Sequence, residues 1–106
     1  MKVKIKYDRG LLEILTELLH NHLGTALQVN DIGKILYSCL NHIRIQHGKA
    51  LADPSKVAFN LTYPAHYAIA LKIFLQSNLE SNLVNMNSWE GNEFLKVIAL
   101  IDQTYL

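Results

Sequence analysis

The five histidines of this 106-residue chain are the side chains best suited to chemistry near neutral pH, as proton shuttles or metal ligands. His20 and His22 flank an asparagine in the stretch LLHNHLG, His42 and His47 fall in a second periodic segment, and His66 stands two places after Pro64. Two ligands on one helix must lie three or four residues apart to reach a single ion. His20 and His22 are two apart, about 200° around a helical axis, and His42 and His47 are five apart, about 140°. Neither pair can chelate from one helix. A site built between helices, for example from His22, His42 and Asp31, is compatible with the sequence but demanded by nothing in it.

His66 falls in the first turn of an apolar helix, where the helix dipole disfavours a protonated ring. A neutral imidazole there can donate a hydrogen bond to a substrate, or simply pack beside Tyr63 or Tyr67. The remaining candidates point away from catalysis. Cys39 lies in the apolar stripe of the second helix, the place of a small buried hydrophobe. No G-x-S-x-G elbow and no Gly-rich phosphate loop occurs; glycines 10, 24, 33, 48 and 91 are scattered. The carboxylate pairs Glu13 and Glu17, and Glu90 and Glu93, have the spacing of a solvated helix face. The expectation is therefore no catalytic site, no cofactor and no metal, with His22 and His66 the two histidines worth locating.

The composition sets the frame for these residues. One domain, 1–106, is expected from the length, with enough chain to bury roughly two-thirds of its unfolded surface. Half the residues are hydrophobic and 18% are charged, which argues against a disordered chain and for a real core. Apolar runs are short, far below the roughly 20 residues that span a bilayer. The N-terminal MKVKIKYDRG alternates lysine with apolar residues and is no signal peptide, so a cytoplasmic location is expected. A single cysteine rules out an internal disulfide framework. The net charge of +1 argues little for nucleic acid, although residues 1–56 hold eight Lys and Arg against five Asp and Glu, and 57–106 two against four.

Periodicity supplies the elements. Met1 to Tyr7 reads as a strand, with Lys2, Lys4 and Lys6 on one face and Val3, Ile5 and Tyr7 on the other. Asp8 is placed to cap a helix from about Gly10 to Leu23, with Leu11, Leu15 and Leu18 as its stripe, Leu12 and Leu19 widening it, and Gly24 as a left-handed stop. A second helix starts after Asn30 or Asp31 and ends at Gly48, its core stripe being Ile32, Leu36, Cys39, Leu40 and Ile43. The turn-rich Asp53-Pro54-Ser55 leads to a strand over Val57 to Tyr63. Pro64 switches to a third helix, reaching about Ser77 and apolar almost all round. A polar loop follows, and a fourth helix starts between Ser88 and Asn92 on Phe94, Val97, Ile98, Ile101 and Tyr105.

The expected fold is thus helix-rich α+β in the order β-α-α-β-α-α, a two-stranded antiparallel sheet packed on four helices with the third at the centre. A lone strand pair has two open edges, and an all-round apolar helix asks to be covered. Both suggest a homodimer, and a small non-catalytic protein acting through self-association or a protein partner. The alternative is a nucleic-acid-binding accessory protein. LGTALQVNDIGKILYSCLNHI has the outline of a degenerate helix-turn-helix, with Lys34 and Arg44 on the second helix and Lys2, Lys4 and Lys6 as a basic stripe for phosphates. The same three lysines also keep a strand's outer face wet and discourage stray pairing. An enzyme with a histidine-based or metal-assisted site is the third reading.

Overall fold

The computed structural model describes residues 2–22 and 31–105, the side chain of His22 excepted. Among the described residues the order is β1 (Lys2–Asp8), α1 (Arg9–His22), α2 (Asp31–Leu51), β2 (Ala58–Pro64), α3 (Ala65–Glu80) and α4 (Trp89–Tyr105). The strands pair antiparallel in a two-stranded sheet and pack on helices, which is the α+β order the periodicity predicts. Alternation explains why they do so. Val3, Ile5 and Tyr7 of β1 and Phe59 and Tyr63 of β2 are buried, while Lys2, Lys4, Lys6, Ala58, Asn60 and Thr62 stay exposed. The chain folds as two compact units, Lys6–Asn60 and a second made of Met1–Ile5 with Leu61–Leu106.

In the unit Lys6–Asn60, Asp8 closes β1 and caps α1. Its Oδ1 accepts the backbone N–H of Leu11 at 2.8 Å, so the helix starts at Arg9, one residue before the expected Gly10. The buried face centres on Leu12, Leu15 and Leu19 with Leu11 beside them, and Leu18 is only half-buried. Gly24 lies outside the described residues. Helix α2 does not stop at Gly48 but runs to Leu51, because that glycine sits on an exposed position where nothing competes with the helical backbone. A second correction concerns Ile32, expected in the core and found 72% exposed. Burial on α2 concentrates from Cys39 through Leu40 and Ile43 to His47, and in the first turn only Gly33 is covered.

Arg9 binds the ends of this unit together. Its Nη2 donates to the carbonyls of Leu51 (3.1 Å) and Asp53 (2.9 Å), and its guanidinium lies 5.6 Å from the centre of the Phe59 ring. The Leu51 carbonyl is at the negative end of α2, where a cation is favoured. Lys56 stands 5.4 Å from the same ring. The predicted bend is present: Asp53 Oδ1 accepts from the N–H and the hydroxyl of Ser55, and these bonds hold the Asp53 carboxyl below its ordinary pKa.

In the other unit Pro64, with φ −57°, carries β2 into α3. The expected end at Ser77 is too early, since α3 continues to Glu80. The polar letters there misled because Asn78 is buried and turns its amide back on the helix, Nδ2 donating to the Phe74 carbonyl at 2.8 Å. Asn82, at φ 62°, then breaks the helix in the left-handed conformation that asparagine tolerates. Ser88 starts α4, its Oγ accepting the Gly91 N–H at 3.1 Å. A Cβ on Gly91 would fall 2.1 Å from the Asn85 carbonyl oxygen, so glycine is obligatory where the loop closes on the helix. Phe94, Val97, Ile98 and Ile101 are buried as expected, and Tyr105 is half-buried.

Candidate functional site

Among the described residues the histidines form no metal-binding group. His20 is exposed on the wet face of α1, and the His22 side chain lies outside the described residues. On α2, His42 is exposed and His47 is fully buried, as their angular separation requires. His66 is exposed in the first turn of α3 with its ring centre 4.3 Å from that of Tyr67, one of the two packing partners expected for it. Among the described residues no three His, Cys, Asp or Glu side chains stand where they could hold a metal ion.

His47 is the functional-looking residue that spacing arguments alone missed. Its ring meets Tyr7 edge-on at 5.8 Å, and burial lowers its pKa to about 4, so it is neutral across the physiological range. The signal was available: His47 lies four residues past Ile43 and seven past Leu40, on the apolar stripe of α2. Cys39 is buried and free, and desolvation raises its thiol pKa, which keeps it protonated and a poor nucleophile. Glu13 lies 3.6 Å from Arg9, and Glu93 pairs with Lys96 at 3.2 Å, both in helix-surface geometry.

The basic residues divide into two kinds. Lys2, Lys4 and Lys6 form a continuous exposed row along the outer face of β1, and Lys34 is exposed on α2. Arg44 is half-buried and engaged by its own helix, Nε and Nη2 donating to Asn41 Oδ1 at 3.2 and 2.9 Å. The connection between α1 and α2 lies outside the described residues, so the turn of the supposed helix-turn-helix does too.

Apolar surface is the better-defined feature. The outward ridge of α2 carries Ile35, 64% exposed, and Ile45, 43% exposed, separated by exposed Ser38 and His42. A DNA-reading helix presents several basic and amide groups on that face; this ridge of α2 presents two isoleucines among Asp31, Ser38, His42 and Lys49. On α3, Ile69 and Ile73 are 45% and 42% exposed, one turn apart. Ile69 also lines a shallow groove of about 290 Å³ between α3 and α4, with Lys72, Ile101, Asp102 and Tyr105. The Lys72 ammonium donates to the Asp102 carboxylate across it. The polar groups of this groove, Lys72 and Asp102, are paired with each other beside apolar Ile69 and Ile101. No family model, curated protein or solved structure matches the chain.

Proposed function

We propose that this chain is a small interaction protein that works by self-association or by binding a protein partner, and not through a catalytic site of its own. The observation carrying this reading is the set of β-branched apolar residues left outside on structured helices: Ile35 and Ile45 on α2, Ile69 and Ile73 on α3. Because each is 42–64% exposed, covering it contributes a part of the about 1.5–3 kcal/mol that full burial of such a side chain is worth. Exposed rows of them on regular helices are what an interface core consists of before its partner arrives.

A homodimer is the form proposed, in a reducing, cytoplasmic setting that suits the single free thiol of Cys39. No helix among the described residues is long and apolar enough to cross a membrane. Sedimentation of the purified chain at micromolar concentration tests the reading. A dimer, or a monomer that captures a defined protein partner through these isoleucines, supports it; a monomer indifferent to their replacement by serine removes it.

A second reading keeps one specific observation, the exposed lysine row of β1. If it tracks phosphates, Lys2, Lys4 and Lys6 changed together to serine weaken a salt-sensitive complex with duplex DNA or RNA. Absence of any mobility shift on mixed-sequence DNA at low salt eliminates that alternative.

A further inference from the structure

The outward ridge of α2 has a mirror order in its residues. Asp31, Ile35, Ser38, His42, Ile45 and Lys49 are spaced four, three, four, three and four residues apart, the alternation that keeps side chains on one seam of a paired helix. Every one of the six is exposed. Their order is also self-complementary about Leu40. Asp31 and Lys49 are equally distant from it, as are Ile35 and Ile45, and as are Ser38 and His42.

We propose that α2 is the interface between two copies of this chain, packed antiparallel about a two-fold axis that crosses the outward ridge at the level of residue 40, on the side opposite the buried Leu40 side chain. This rests on the self-association reading above and names its surface. In that arrangement Ile35 packs on the partner's Ile45 and Ile45 on the partner's Ile35, so that both isoleucine pairs leave water. Ser38 faces the partner's His42, a hydroxyl opposite an imidazole, and the reciprocal pair follows from the two-fold axis. At each end Asp31 meets the partner's Lys49. Charge selects the direction. A parallel pairing would set Asp31 against Asp31 and Lys49 against Lys49, repulsive at both ends. An unrelated apolar partner would have no need of the mirrored sequence of charge, isoleucine and polar centre.

The length of α2 fits. Its 21 residues reach about 30 Å, and the six seam positions occupy nearly all of that length. The polar pair at the middle and the small number of apolar contacts describe a modest, reversible dimer of micromolar strength, more like a transient contact than an obligate one.

The test is sedimentation equilibrium on the full chain and five variants, with circular dichroism confirming that each keeps its helix content. Ile35→Glu or Ile45→Glu weakens association by about 100-fold or more, since the two-fold axis places each change in the seam twice, once from each copy. At low salt Asp31→Lys alone and Lys49→Asp alone each weaken it by roughly tenfold, and the double exchange Asp31→Lys with Lys49→Asp restores it. A wild-type dimer that is unmoved by the isoleucine changes, or single charge reversals without rescue in the double exchange, overturns the α2 interface while leaving self-association standing. A wild-type chain that remains monomeric overturns both.

Discussion

Helix α3 is apolar around nearly its whole circumference, whereas α2 alternates apolar with polar and charged residues. The structure distributes their surfaces in a way composition alone does not suggest. Ala68, Leu71, Phe74, Leu75 and Leu79 of α3 are buried, and its exposed apolar surface shrinks to the strip around Ile69 and Ile73. On α2 burial is confined to one stripe, and Ile32, Ile35 and Ile45 remain outside. An all-round apolar helix thus uses most of its apolarity within its own fold, and an amphipathic one can carry isolated isoleucines on its outward, otherwise polar face. Each helix also buries one polar side chain, with different consequences. Asn78 on α3 is neutral at every pH and donates its Nδ2 to the Phe74 carbonyl, while its Oδ1 is buried without a hydrogen-bond partner. His47 on α2 must stay neutral to stay buried.

The largest effect expected from this contrast is on α3. Leu71→Ala, at a fully buried position, costs about 2–5 kcal/mol in urea unfolding. A loss below about 1 kcal/mol would mean that the face holding Leu71 is not core. Next comes the pH response of α2. With His47 held at about 4 in the folded chain and near 6.5 when unfolded, the unfolded chain binds the extra proton between those values. Stability is therefore full above pH 6.5 and falls as pH drops toward 4, with a slope of up to about 1.4 kcal/mol per pH unit. His47→Leu flattens that slope in urea midpoints measured across the window; an unchanged slope assigns acid sensitivity to another group.

Smaller still is Gly48→Ala. A Cβ there meets nothing within 4 Å and the backbone is helical, so the change stabilises by about 0.5–1 kcal/mol in thermal or urea unfolding. Destabilisation would show that α2 ends at Gly48 in solution, as the glycine suggested. The smallest effect is Ile73→Ser on α3, within about 0.5 kcal/mol in the same measurement, because that side chain is already partly in water. A cost comparable to that of Leu71→Ala would erase the distinction between the inner and outer faces of α3.

The sequence was most informative where a signal is local. Period-two lysines set the faces of β1, Asp8 capped α1, Pro64 marked the strand-to-helix switch, and Ser88 was within the range given for the start of α4. It misled where packing overrides a punctuation residue. Gly48 has open space and an intact helix around it, and Asn78 turns the donor half of its amide back on α3. Arg9 was invisible for a different reason. Its carbonyl partners at Leu51 and Asp53 lie more than forty residues on, and nothing near Arg9 announces them. The candidate interface was partly readable, since the seam spacing on α2 is written in the residues. The sequence does not show the exposure of Ile32 and Ile35, because Ile32 stands at core spacing with Leu36 and Ile43.

The most direct measurement is the molar mass of the wild-type chain in solution, by sedimentation equilibrium over a series of micromolar concentrations. Self-association through an exposed helix face predicts a weight-average mass that climbs from the 12.0 kDa of one chain towards twice that value as concentration rises. A mass fixed at 12.0 kDa throughout would contradict it.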